Sequence, residues 1–198
     1  KLKPKASLGT KVRLKEHEYS GVGAAIRASC EASLKRLAMD SVDLFQLHNR
    51  IGAKTSGDMM SADLVLNEVV PTFQKLKQEG KIRWFGITAL GETEQLHRVV
   101  KSGAFDTAQV CYNALNPSAD ADVAPKFAGQ NYARLMTTAK AGGMGTIGIR
   151  VLAGGALSGS EARHPLNVQV VEPIGSGADF REDVGRALQF KALIDDGV

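Results

Sequence analysis

Short stretches with a two-residue apolar rhythm alternate along this chain with longer stretches of helical rhythm. Residues 7–14, SLGTKVRL, alternate small or polar side chains with apolar ones and predict a first strand. From Ser20 the period lengthens: Ile26, Cys30, Leu34 and Leu37 recur at helical spacing, Arg27, Glu31 and Lys35 fall on the other side, and Ser20 is available as N-cap. The segment DSVDLFQLH, 40–48, reads as a second strand and is followed by a polar, glycine-containing loop from Asn49 to about Met60. Helical period resumes from Ser61 to Gln78, with Pro71 as a kink or restart and Gly80 as C-cap. IRWFGIT, 82–88, is a third strand, and the short helix ETEQLHRVVKSG ends on Gly103. DTAQVCYN, 106–113, is a fourth, followed by a long polar loop, which in a compact domain is more often functional than idle. A helix over 131–141, a fifth strand TIGIRVLA over 146–153, a glycine-rich irregular stretch and a last helix over about 179–195 complete the order.

Strands that alternate with helices are joined by crossovers long enough to make them parallel, so the chain is an α/β protein. Two architectures compete, the open doubly wound sheet and the closed eight-stranded barrel. Central strands of the former are covered on both faces and should be almost wholly apolar, whereas barrel strands carry small or polar residues on their inward face near the carboxyl end. Leu44, Gln46 and His48 share one face here, as do Gly9, Lys11 and Arg13; Trp84, Gly86 and Thr88; and Gln109, Cys111 and Asn113. That pattern favours the (β/α)8 TIM barrel. A barrel needs eight strands and typically about 250 residues, while five strands are legible. The expectation is an incomplete barrel, residues 1–198 forming one partial domain that lacks N-terminal strands and the C-terminal strand and helix.

Composition narrows the function classes. The 25 basic and 21 acidic residues give a net charge of +4 spread along the chain, without the basic stripe that nucleic-acid binding requires, although an anionic small ligand remains compatible. No apolar run approaches the roughly 20 residues of a membrane span, so no membrane partner is expected. Cys30 and Cys111 lack metal-ligand spacing, and the expectation is a reduced, cytoplasmic setting without a metal. KLKPKASLG is basic but has no apolar core or cleavage pattern, so it is not a secretory signal. The first residue is not Met, in keeping with a piece of a longer protein.

Several side chains could carry chemistry. Lys11 sits mid-strand, where it either reaches the rim or serves a site, and His48 ends a strand at the place where barrel enzymes hold catalytic groups. Gln109 and Asn113 either satisfy nearby backbone or bind a ligand. Arg150, before a glycine-rich turn, suits a phosphate or an acidic neighbour equally. AGGMGTIG precedes its strand, whereas a dinucleotide fingerprint follows one, so it is read as a helix stop. His17, His97 and His164 fall in loop or exposed-helix contexts.

GTKVRL, IRASCEASLKRLAMDSVDLFQLHN, LKQEGKIRWFGIT, AQVCYN and LAGGALSG, in this order and spacing, resemble the aldo-keto reductases over residues 7–195. The resemblance implies a TIM-barrel, NADP(H)-dependent oxidoreductase that reduces an aldehyde or ketone with an Asp, Tyr, Lys and His tetrad. By position, Lys11 matches the catalytic lysine and His48 the histidine. The family's aspartate and tyrosine precede the lysine by some tens of residues, and the ten residues before Lys11 contain neither.

For the cofactor, the resemblance places Thr88 where the family usually has Ser-Asn, with Ala89 replacing the amide. Gln109 matches the glutamine that binds the nicotinamide carboxamide, and Leu152 and Gly155 match the pyrophosphate loop. Ile149, Arg150 and Val151 replace its Tyr, Ser and Pro, so Arg150 would contribute charge where an aromatic ring is lost. NADP(H) over NAD(H) rests on the family alone. Two rivals remain: a noncatalytic cofactor-binding or interaction protein on the same barrel, and a doubly wound oxidoreductase domain.

Overall fold

The computed structural model of the chain describes residues 6–172, 174–175 and 178–195; the basic run read above for a targeting signal lies at 1–5, outside them. Strands β1 (Gly9–Val12), β2 (Val42–Leu47), β5 (Ile82–Thr88), β6 (Thr107–Cys111) and β7 (Gly145–Ile149) form one sheet in the order β1-β2-β5-β6-β7. The pairings β1 with β2, β2 with β5 and β5 with β6 are parallel. All five expected strands are therefore present. Their spatial order follows the chain without reversal, whereas a doubly wound sheet reverses at a switch point, so the winding is that of a barrel wall.

Helices α1 (Val22–Leu37), α3 (Val70–Gln78) and α4 (Thr93–Lys101) supply the crossovers. In α1 the apolar stripe is buried through Val22, Ile26, Cys30 and Leu34. Leu37, expected on that stripe, is 43% exposed because it falls on the final turn, after which Ala38 turns left-handed at φ 51°. Ser20 is not the cap either: a 3-10 turn, Glu16–Gly21, leads in and Gly21 holds the N-cap position.

A single helical turn, α2 (Ala62–Leu64), runs into a π-helical turn, Val65–Val69, and then α3. Pro71 has no N–H to offer the preceding turn, and the helix widens ahead of it, Val70 N–H donating back to Val65 O. On α3, Phe73 is fully buried with its ring 5.3 Å from Phe45, 5.5 Å from Phe85 and 6.5 Å from Phe105. These tilted and edge-on contacts each contribute about 0.5–1.5 kcal/mol beyond area burial and lock α3 onto the outer side of β2 and β5.

The stretch expected as a loop between Asn49 and Met60 instead contains β3 (Arg50–Gly52) and β4 (Met59–Ser61), a short parallel pair. Ile51 also bridges Gly91, whose φ of +132° and near contact with Ile51 backbone leave no room for a side chain.

The chain separates into two compact units: residues 1–110 with 138–147, and residues 111–137 with 148–198. The helix expected from 131 starts only at α5 (Leu135–Ala141), because Ala133 and Arg134 take positive φ and Arg134 N–H donates to Ser118 O. The last expected helix is two, α6 (Phe180–Leu188) and α7 (Lys191–Asp195). Asp179 caps α6 by accepting from Glu182 N–H at 2.8 Å, and the buried Asp183 accepts from the N–H groups of Ile174 and Gly175.

Candidate active site

The inward face of the first unit is built in rows. Register places Lys11 beside Gln46 and Gln46 beside Gly86, and pairs Gly86 with Thr107. A Cβ at Gly86 would lie 2.5 Å from Thr107 O, so glycine lets β6 close against β5. Gln46 is 3% exposed and its amide donates to Thr107 Oγ1 at 3.5 Å. The next row toward the carboxyl ends pairs Thr88 with Gln109.

Lys11, Thr88 and Gln109 meet directly. Lys11 Nζ donates to Gln109 Oε1 at 2.6 Å, and Thr88 Oγ1 donates to the same oxygen at 3.3 Å. Lys11 can only donate, so the Gln109 amide is oriented with oxygen toward the lysine and Nε2 away from it. Nε2 makes no hydrogen bond among the described residues. Burial lowers the Lys11 pKa below its ordinary value, with no carboxylate among the described residues to raise it.

His48 follows the end of β2, its main-chain N–H donating to Val12 O at 2.8 Å. The ring is exposed and makes no hydrogen bond among the described residues. Its pKa lies below the ordinary histidine value, first through partial burial and then through the positive charges of Lys11 and Arg13, with Asp58 opposing. Histidine is thereby held neutral near pH 7, with a ring N–H to donate.

The next residue points the other way. Asn49 is completely buried; its Oδ1 accepts from Leu14 N–H at 2.8 Å and its Nδ2 donates to Leu14 O at 2.8 Å, to Tyr19 Oη at 3.1 Å and to Asp58 O at 3.3 Å. It ties together the ends of three segments around His48. Arg13 and Asp58 form a two-pronged ion pair at 2.7 and 2.6 Å in the same neighbourhood. None of these three was singled out from sequence for a site role, and only the alternation at 9, 11 and 13 gave a signal, for Arg13.

In the second unit, Arg150 is not within a strand as expected: β7 ends at Ile149 and Arg150 adopts φ 55°. Its guanidinium pairs with Glu172 at 3.6 Å, the acidic-neighbour alternative. Arg150, Leu152 and Gly155 nevertheless line one cavity of about 660 Å³, together with Arg163, Asn167, Val168 and Ile174 among others. Gly154 and Gly155 take φ of 67° and 107°, conformations that favour glycine. Asn113 is settled as a backbone-satisfying residue, its Oδ1 accepting from Leu115 and Asn116 N–H and its Nδ2 donating to Arg150 O.

A model of the aldo/keto reductase family matches residues 3–171. Among curated proteins, the chain is 31% identical over 150 residues to L-galactose dehydrogenase of Arabidopsis thaliana, covering 73% of this chain and 41% of that protein. Against methylglyoxal reductase YeaE of Escherichia coli it is 29% identical over 113 residues, 56% of this chain and 36% of the other. Among solved structures, an aldo/keto reductase from Klebsiella pneumoniae in complex with NADP and acetate superposes with a TM-score of 0.54 at 26% identity, over 78% of this chain and 46% of that one. The holo form of an aldo-keto reductase from Bacillus halodurans shares the fold with a TM-score of 0.57 at 24% identity, over 83% and 48%. The chain thus spans about half the length, or less, of the relatives it matches.

Proposed function

The chain belongs to the aldo/keto reductase family, and from that membership we propose that it supplies the lysine, the histidine and cofactor-binding residues of an NADP(H)-dependent oxidoreductase interconverting an aldehyde or ketone with its alcohol. The observation that carries this reading is the meeting of Lys11, Gln109 and Thr88 on the inward face, with the unbonded ring of His48 coupled to Lys11 by charge.

The residues fit the cofactor's chemistry. With Gln109 Oε1 occupied by Lys11 and Thr88, Nε2 is the atom left to donate to a nicotinamide carboxamide oxygen. Arg150, Leu152 and Gly155 line a cavity with two guanidinium groups, Arg150 and Arg163; phosphate oxygens there would take Arg150 from Glu172 and share Arg163 with the carbonyls of Gly154 and Val168. Bound NADPH supplies the hydride. His48 holds the carbonyl oxygen through a ring N–H, stabilising the charge that grows there. Lys11 presents a positive charge that lowers the pKa of a neighbouring phenol, the proton donor the family resemblance calls for. The relatives include both a reductase and a dehydrogenase by name, in keeping with a reversible carbonyl–alcohol step.

The sequence contains one tryptophan, and Trp84 lies on the same strand face as Gly86 and Thr88. Its fluorescence should be quenched by NADPH, and Gln109→Ala should weaken that binding. NADPH oxidation with a panel of aldehydes, by the chain and by a version carrying the family's aspartate and tyrosine segment, then separates a reductase from a cofactor-binding protein without turnover. Absence of both quenching and oxidation in either form rules the reading out.

A further inference from the structure

Three cations, Lys11, Arg13 and Lys15, alternate with the buried Val12 and Leu14. In extended chain, side chains two residues apart share a face about 7 Å apart. β1 ends at Val12, yet the alternation continues, because Asn49 grips Leu14 by both its N–H and its carbonyl and holds that residue inward. The β1–β2 register, Lys11 with Gln46 and Val12 with Leu47, carries on to set Arg13 beside His48. The influence of the Arg13 charge on the His48 ring is the electrostatic counterpart of that placement.

The cations are not all spent internally. Asp58 takes Nε and Nη2 of Arg13, leaving Nη1 without a hydrogen bond among the described residues. Lys15 forms no ion pair among the described residues, and the Glu18 carboxylate accepts from the Lys15 main-chain N–H at 2.7 Å. Arg13, Leu14, Lys15, Gly57 and Asp58 line a cavity of about 310 Å³.

We infer that this cavity receives an anionic oxygen group, carboxylate or phosphate, carried by the carbonyl substrate, with Arg13 and Lys15 as the residues that read its charge. The inference rests on the proposed role of His48 at the carbonyl. One strand step of about 7 Å is the reach of a short chain, so the substrate class is an oxo-acid or a phosphorylated hydroxy-carbonyl with a few atoms between carbonyl and anion. Asp58 neutralises one of the three cations and fixes the Arg13 guanidinium in plane, which limits the site to anions that approach Nη1 and Lys15 together.

The test compares charged and uncharged ketones of matched length on the 198-residue chain. Levulinate and 2-pentanone are titrated by NMR, following amide shifts of residues 12–15 and 48. Levulinate should bind roughly three- to tenfold tighter, the range for one or two partly solvated charge contacts. The preference should shrink as salt is added, be lost in Lys15→Gln and be kept in Lys15→Arg. Dihydroxyacetone phosphate against dihydroxyacetone gives the phosphate arm, and the larger of the two ratios identifies the oxyanion. Equal binding within both pairs, or an undiminished preference in Lys15→Gln, overturns the inference. No cofactor is needed for this comparison, so it decides the anion subsite separately from the NADPH binding that tests the proposed function.

Discussion

Lys11 Nζ and Gln109 Oε1, 98 residues apart in sequence, lie 2.6 Å from each other. The contact joins a residue of β1 to one of β6, strands that are not neighbours in the sheet. Only long side chains on a common concave face can do this, so the pair reports that β1, β2, β5 and β6 curve toward the barrel interior. An amide oxygen here is a weak partner for an ammonium group compared with a carboxylate.

Replacing that amide by a carboxylate should change the lysine. Burial holds the Lys11 pKa below 10.5, and Gln109→Glu should raise it by adding an opposite charge within hydrogen-bond reach. The check is an NMR titration of the Lys11 side chain in both proteins, and a lysine that titrates identically in the two refutes the contact. The sign for stability follows: with the folded pKa depressed, the contribution of Lys11 is fully present above 10.5 and is lost as pH falls through the folded value. Gln109→Glu should flatten that alkaline dependence.

His48 should titrate below its ordinary value of 6.5, and Lys11→Met should bring it back upward by removing a positive neighbour. Asp58→Asn should push it further down, because Asp58 is the group that opposes the shift. Its contribution to stability is fully present above pH 6.5 and disappears as pH falls through the folded pKa. The imidazole proton resonances followed from pH 4 to 8 provide the measurement. Movement in the opposite direction in either variant would show that these charges do not reach the ring.

Much of this arrangement is legible in the sequence itself. Two-residue alternation in DLFQLH and IRWFGIT is a local property of the chain, set by which face meets the helices, and it placed Gln46, Gly86 and Thr88 on a common side. Helix and strand limits were less legible where a distant partner decides them. Leu14, 35 positions away, determines that Asn49 is buried, and no neighbour in sequence announces it. Arg150 looked like a strand residue because TIGIRVL is continuous in propensity, yet its positive φ ends β7 at Ile149. Pro71 was readable as a disturbance of the helix, but that the chain absorbs it by a π turn rather than a break depends on how Val65, Val69 and Phe73 all reach the core.

Asn49 should be among the most sensitive polar positions. Asn49→Ala leaves the Leu14 N–H and carbonyl without their side-chain partners and should cost about 2–4 kcal/mol, the sum of two buried groups left unsatisfied. Asn49→Asp keeps an acceptor for Leu14 N–H but sets a buried charge against Leu14 O, and should be at least as damaging at pH 7. Urea unfolding of the three proteins measures this. A loss below about 1 kcal/mol for alanine, within the range of ordinary solvated hydrogen bonds, would mean that water replaces the clamp.

Phe73 tests the outer side of the sheet. Truncation to alanine removes the ring that touches Phe45, Phe85 and Phe105 and should destabilise by about 3–5 kcal/mol, while leucine, closer in volume, should cost about 1.5 kcal/mol or less. The expected signature is a lower urea midpoint with an unchanged slope, since the surface exposed on unfolding is the same. A reduced slope in Phe73→Ala would instead show that α3 leaves the sheet in the folded state.

The surface between α1, α3 and the start of β5 gives an acid-side prediction. Glu79 accepts two hydrogen bonds from Arg27, at 2.6 and 2.7 Å, and pairs with Lys81 at 3.4 Å. These partners, Arg27 foremost, hold its pKa down from 4.5 to about 2. A depressed carboxyl contributes stability that is fully present above 4.5 and is lost as pH falls through about 2. The thermal midpoint of the parent chain should therefore exceed that of Glu79→Gln near pH 5, with the gap closing toward pH 2. Because the group lies at the surface, the gap at pH 5 should be small and should narrow in 1 M salt, where the screening length falls to about 3 Å. Melting curves of the two proteins that stay parallel from pH 5 to pH 2 would show that the pair forms equally in the unfolded chain and contributes nothing to folding.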